Sequence, residues 1–188
     1  ARVGVTGAEQ GVRSFPISMS AWFKADSLHY GTILSLSSTI VSGYCYLGCD
    51  LSGVLAWLLG DTTTSVSLPG GNYQPGSWVH VVGVSRSTAD HSLYVNGQLV
   101  TSSAGAMATF PSLNTATMGA GVDSGGAGQY FRGQLGPCAV YNRALLPDEI
   151  SSLSRQPFAL LASRPRYLSL PIPPSFPQTI LLSSVGVY

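Results

Sequence analysis

The stretch SWVHVVGVSRSTADHSLYVNGQLV, residues 77–100, constrains the fold more than any other part of the chain. Trp78 to Val84 is β-branched and aromatic, and Leu93 to Val100 is broken only by Asn96-Gly97. A two-residue type I′ turn needs positive φ at both central positions, which Asn and Gly tolerate best. These residues therefore predict strand, loop, strand, tight turn and strand, a three-stranded antiparallel meander.

Other segments extend the pattern. In FPISMSAWFKADS, Ile17, Met19, Ala21 and Phe23 share one face, and Ser18, Ser20, Trp22 and Lys24 share the other. Strands are predicted over 30–36, 42–50 and 54–60, the last apolar on both faces and so expected to be central. A weaker strand over 62–68 should end at Pro69-Gly70-Gly71-Asn72. Later strands are predicted over 115–121 and 129–141, separated by GVDSGGAG, a Gly-rich loop centred on Asp123. The one helix start is RALLPDEISSLS, where Pro147 suits the first turn and Asp148 and Glu149 meet the positive end of the helix dipole. The 22 Gly and 12 Pro fit short strands joined by many turns. The fold class expected is all-β, a two-sheet antiparallel jelly-roll sandwich with one short C-terminal helix and an extended Pro-rich tail.

Charge bounds the partners. Only 9% of residues are charged, the net charge is +1 and mean hydropathy is +0.26, so repulsion contributes little to solubility. Such a surface fits a subunit that buries part of itself in an assembly, which predicts a homo-oligomer. It offers no clustered basic field for nucleic acid, and neither a membrane span nor a signal peptide is visible. Three Cys are too few for a full disulfide framework, so all are expected to be reduced. Cys45 and Cys49 would pair only across a turn, since residues four apart on a straight strand lie about 13 Å from each other.

From Arg155 the composition shifts. Residues 155–188 hold six Pro yet are rich in Leu, Ile, Phe and Tyr, unlike a solvated linker. The chain thus divides into a domain over 1–154 and an apolar arm over 155–188. Phe158, Leu160, Leu161, Tyr167, Leu168, Ile172 and Phe176 are the arm's candidate contacts for neighbouring subunits.

Three motifs in order, FPISMSAWFKADS, WVHVVGVSRSTADHSLYVNGQLV and MGAGVDSGGAGQYFRGQLGPCAVYNRALLPDEISSL, resemble the laminin-G-like branch of the concanavalin A-like lectin/glucanase superfamily. The resemblance implies an antiparallel jelly roll with Trp22 and Trp78 in the core and a long late strand over 131–141. Gln156-Pro157-Phe158-Ala159-Leu160-Leu161, followed by a Pro-rich aromatic end, further resembles a type found in bacteriophage structural proteins, with Phe158 where Trp is expected.

Several chemistries follow from that resemblance and are weighed against the residues. Glucanases of the superfamily need two carboxylates roughly 5 to 10 Å apart across a cleft. The eight acids, Glu9, Asp26, Asp50, Asp61, Asp90, Asp123, Asp148 and Glu149, show no alternation on one strand face, so no enzyme is expected. His29, His80 and His91 stand at no metal-ligand spacing and read as packing residues. No cofactor is expected; calcium is the one metal the resemblance raises, with Asp123 its candidate ligand and Asp50 and Asp61 as partners, but no dense acidic loop supports it. Sugar binding would use an exposed aromatic with nearby hydrogen-bonding groups, which points to Trp57, Asn72, Tyr73, Asp123 and Tyr130 around the loops at 69–76 and 119–128.

Two functional readings result. The first is a non-enzymatic virion protein, a bacteriophage capsid-decoration or tail-associated jelly roll bound to other capsid or tail subunits and gripping host glycans. The second is a carbohydrate-binding adhesion module of a secreted bacterial protein, which would place it outside the cell.

Overall fold

A computed structural model describes residues 3–6, 14–38, 43–61, 63–107, 109, 113–123 and 126–156, with the backbone alone for 3–6 and Asp123. The arm, from residue 157 on, lies outside the described residues.

The predicted meander forms β7 (Trp78–Ser87), β8 (Asp90–Val95) and β9 (Gln98–Ser103). Val95 pairs with Gln98 across the turn, and Asn96 and Gly97 take φ of 50° and 83°, the two positive values a type I′ turn requires. On the other side of β7 lies β2 (Ile17–Ala25), and beyond it β13 (Gly133–Tyr141), closing a five-stranded sheet in the order β13-β2-β7-β8-β9. Pro137 sits in β13 where the register shifts between Leu135 and Cys138, on an edge strand that can spare an N–H.

The facing sheet has six strands in the order β1-β10-β3-β4-β5-β6. They are β1 (Val3–Thr6), β3 (Gly31–Ser37), β4 (Tyr44–Cys49), β5 (Val54–Gly60), β6 (Ser65–Asn72) and β10 (Thr115–Met118). All pairings are antiparallel, as a jelly roll requires. The inner faces of the two sheets share one core that includes Ile17, Met19, Phe23, Leu47, Leu55, Trp57, Leu59 and Leu93.

Several expectations need correction. β5 is not buried on both faces: Leu55, Trp57 and Leu59 are buried, while Val54, Ala56 and Leu58 are half-buried on the outer face. β6 does not stop at Pro69 but runs to Asn72, with Pro69 opposite Ala56; it is the sheet's edge, so the missing N–H breaks no ladder. The stretch read as a Gly-rich loop is a two-stranded ribbon, β11 (Gly121–Asp123) with β12 (Gly126–Gly128). Trp22 and Trp78 are not core residues. Trp22 is half-buried on the outer face of the five-stranded sheet, stacked on His80 at 5.2 Å, and Trp78 is 46% exposed with the Lys24 ammonium 5.7 Å from its ring. In an alternating strand, even-numbered residues of β2 point away from Phe23, and Lys24 shares that outer face.

The two sheets are locked at one point. Trp57 of β5 lies flat against Gly83 of β7, where a Cβ would run into the indole. Its Nε1–H donates to Ser85 Oγ (3.0 Å), Ser85 Oγ also meets His91 Nδ1 (2.8 Å), and His91 Nε2 lies 3.1 Å from the carbonyls of Thr88 and Gly105. A buried indole N–H is thus satisfied through a chain that ends on backbone.

Helix α1 (Pro147–Arg155) covers the outer face of the five-stranded sheet, laying Ile150 and Leu153 with Leu145 on Val82, Val84 and Tyr94. The Glu149 carboxylate accepts the Leu146 N–H (2.9 Å) and holds Arg143 through both oxygens (2.7 and 2.8 Å). Under the helix, His80 Nε2 meets Ser20 Oγ at 2.9 Å. Burial pushes the His80 pKa down from 6.5 to about 4.

All three cysteines are free thiols. Cys45 and Cys49 lie on the straight strand β4, and burial pushes the thiols of Cys49 and Cys138 up to about 11, so neither is nucleophilic near neutral pH.

Two outcomes test this packing. Gly83→Ala should lower unfolding stability by about 1 to 3 kcal/mol through overpacking against Trp57, read as a shifted denaturant midpoint at constant slope. An unchanged midpoint would mean the sheets do not meet there. For His80, the unfolded chain takes up a proton between pH 6.5 and 4 that the folded chain refuses, so stability falls as pH falls through that window, by roughly 3 kcal/mol in all. His80→Phe, which keeps a ring on Trp22, should flatten this decline; equal slopes in the two proteins would remove His80 as its source.

Candidate functional site

With α1 laid over one sheet, the outer face of the six-stranded sheet is partly open among the described residues at β4, β5 and β6, while the outward Ser35 and Ser37 of β3 are buried. Its outward positions come from period-two alternation. Tyr44 and Tyr46 of β4 point out while Cys45 and Leu47 point in, and Val54, Ala56 and Leu58 of β5 point out while Leu55, Trp57 and Leu59 point in. Tyr46 lies opposite Leu58, and Gly48 opposite Ala56. Where Gly31 and Gly48 leave the sheet bare, the face dips into a depression of about 90 Å³.

Tyr30 and Tyr46 form one wall of this depression; Val54, Ala56, Leu58 and Pro69 line it with apolar surface, and Asp50 and Gln129 bring polar groups. Tyr44 extends the aromatic surface, its ring 5.1 Å from that of Tyr46. Burial, then the neighbouring phenols of Tyr30 and Tyr44, hold the Tyr46 hydroxyl above the ordinary tyrosine range, so it remains a neutral donor and acceptor.

Each rim residue is held by the chain beneath it. Asp50 Oδ1 accepts the N–H groups of Ser52 (2.8 Å) and Val54 (2.9 Å), the Asx turn that joins β4 to β5. Gln129 has φ of 51°, and Thr32 pins it twice, donating its N–H to the Gln129 carbonyl (2.8 Å) and its hydroxyl to Gln129 Oε1 (2.9 Å). The buried His29 ties this rim to Tyr30. Its Nε2 accepts the Arg132 N–H (2.9 Å), which puts the proton on Nδ1, donated to the Ser27 carbonyl (2.8 Å).

The residues singled out by sequence fall in different places. Tyr130 is 56% exposed beside Gln129, bridged to Thr32 and with its hydroxyl 3.2 Å from the Ala127 carbonyl. Asn72 is exposed opposite Val54 on the edge strand. Trp57, at 0% exposure, and Tyr73, at 2%, offer no face to a ligand. Trp57 locks the sheets, and the Tyr73 hydroxyl accepts the His29 N–H at 3.3 Å. Asp123 pairs through its backbone with Gly126. Sequence reasoning missed Tyr30, Tyr44, Tyr46 and Gln129; the signal was the i, i+2 spacing in Tyr44-Cys45-Tyr46.

Asp50 and Asp61 do not come together as partners for a calcium ion, and the side chain of Asp123 lies outside the described residues. Asp50 and Asp61 follow β4 and β5, antiparallel neighbours, and so stand at opposite ends of one hairpin, about 20 Å apart. Asp61 is spent on threonines: Oδ1 accepts from Thr63 and Thr64, and Oδ2 from Thr64 and Thr109. Desolvation works to raise its pKa, but these donors outweigh it and hold the carboxyl well below the usual range. Among the described residues no three His, Cys, Asp or Glu converge on a point that would hold a metal.

Comparison with known proteins agrees with this architecture. No curated protein matches the chain by sequence. Among solved structures, a carbohydrate-binding module (CBM40) of the Ruminococcus gnavus IT-sialidase, bound to α2,3-sialyllactose, superposes with a TM-score of 0.64 at 14% identity, covering 82% of this chain and 98% of that one. A heptameric SAP-like pentraxin from Limulus polyphemus gives 0.61 at 17% identity over 75% of this chain and 70% of its own. Domain 4 of AbnA, an extracellular arabinanase from Geobacillus stearothermophilus in complex with arabinotriose, gives 0.60 at 21% identity over 76% and 68%. Residues 4–151 match a laminin-G family, and with the two-sheet jelly roll in place the chain belongs to the concanavalin A-like lectin/glucanases superfamily.

Proposed function

We propose that this chain is a non-catalytic glycan-binding adhesion module whose contact surface is the tyrosine-walled depression on the six-stranded sheet. The observation that carries the reading is the grouping of Tyr30 and Tyr46 with Asp50 and Gln129 around one dip in a sheet face partly open among the described residues. Aromatic rings stack on the C–H face of a sugar while a carboxylate and an amide take its hydroxyls. Two similar structures hold sugars, sialyllactose in one and arabinotriose in the other, which supports the class of ligand. The non-catalytic reading is supported by the acid content of the depression: among the described residues Asp50 is the one carboxylate lining it, and glycoside hydrolysis takes two.

The setting we propose is a virion, with the jelly roll over 1–154 and the arm over 155–188 serving as attachment to neighbouring capsid or tail subunits. The 9% charge and the apolar residues of the arm support it. A homo-oligomer is supported by β9, an edge strand with Leu99 and Val100 exposed. The alternative setting is a secreted bacterial adhesin. Mass spectrometry of purified phage particles against culture medium separates the two, and recovery in the medium alone would sink the virion setting.

Glycan-array binding followed by titration tests the site. Tyr46→Ala should weaken binding about tenfold, the value of a lost aromatic stack, while Trp78→Ala on the other sheet should leave it unchanged. The reverse outcome would move the contact surface to the five-stranded sheet.

A further inference from the structure

The charge around the depression narrows the ligand. Among the described residues that line it, Asp50 is the one charged group, and no Lys, Arg or His stands with it. Four of the described cations are committed elsewhere, and the exposed Arg132 stands outside the lining. Lys24 lies over Trp78 on the opposite sheet, Arg86 pairs with Asp90, Arg143 with Glu149, and Arg155 with the Ser151 hydroxyl. Arg132 meets this region through its backbone N–H on His29.

Resting on the glycan-binding reading above, we infer that the depression selects uncharged sugars and rejects sialylated or otherwise anionic ones. A carboxylate on a ligand needs a cation or a cluster of N–H donors, and a bidentate Arg serves it best. Here it would meet the Asp50 carboxylate and an apolar wall, with uncharged donors from Gln129 and the two phenols and no cation among the described lining residues. A neutral sugar meets matched groups. Asp50 Oδ1 is engaged by Ser52 and Val54, which leaves Oδ2 to accept sugar hydroxyls. Thr32 occupies the Gln129 carbonyl oxygen, which leaves the amide NH2 to donate. The hydroxyls of Tyr30 and Tyr46 complete the set, and Pro69 and Leu58 face the C–H surface of the ring. This assignment differs from the sialyllactose held by one similar structure, so likeness of fold does not carry likeness of ligand.

The experiment uses the full chain and a matched pair of oligosaccharides, one sialylated and the same one after desialylation, titrated by saturation-transfer NMR. The uncharged member should bind at least tenfold more tightly. Asp50→Asn keeps an oxygen for the Ser52 and Val54 N–H groups, removes the charge and turns Oδ2 into a donor; it should shrink that ratio severalfold, weakening the neutral ligand and strengthening the sialylated one. Equal or tighter binding of the sialylated member, or a ratio unmoved by Asp50→Asn, overturns the selectivity but leaves glycan binding standing. Binding of neither member, nor of any array glycan, by folded protein overturns the glycan-binding reading itself.

Discussion

The contact of Trp57 with Gly83 is the constraint on which the rest of the sandwich depends. A large indole can lie between two sheets only where the opposite strand offers no side chain, so β5 and β7 must cross at that residue pair. The hydrogen bond to Ser85 fixes which way round the indole sits, and His91 carries the polarity on to backbone carbonyls near Thr88 and Gly105. A shift of either strand by one residue would turn the indole to solvent and strand its N–H partner in the core.

That lock decides what the outside of the six-stranded sheet looks like. With Trp57 facing in, Ala56 and Leu58 face out, and pairing across β4 sets Tyr46 beside Leu58. The bare floor at Gly31 and Gly48 then lies between rings instead of beneath one. The depression therefore follows from the core in register, and its rim is trimmed by short-range bonds: the Asx turn at Asp50, the double hold of Thr32 on Gln129, and the His29 clasp.

Local chemistry made some of this legible in the sequence. Asn96-Gly97 named its own turn, and Pro147, Asp148 and Glu149 named the start of α1, because those signals act within a few residues. Trp57 was misassigned because VLAWLLG is apolar on both faces, so alternation does not say which face meets another sheet. Tyr44 and Tyr46 stood at same-face spacing, but that their face is exposed depends on α1 covering the other sheet, a tertiary fact. Pro69 and Gly70 read as a strand end since they are poor ladder formers, and only the edge position of β6 shows why they are tolerated. Trp22 and Trp78 follow the family's pattern in sequence yet lie outside the core, one beneath the helix and one half open to solvent.

The placement of α1 gives the molecule a front and a back. The helix lies on the five-stranded sheet, and the chain leaves it at Gln156 on that side, whereas the tyrosine depression opens from the opposite sheet. Whatever is joined to the chain beyond the helix begins at the rear. The tyrosine depression and the point where the described chain ends therefore lie on opposite sides of the sandwich, so the core separates the two.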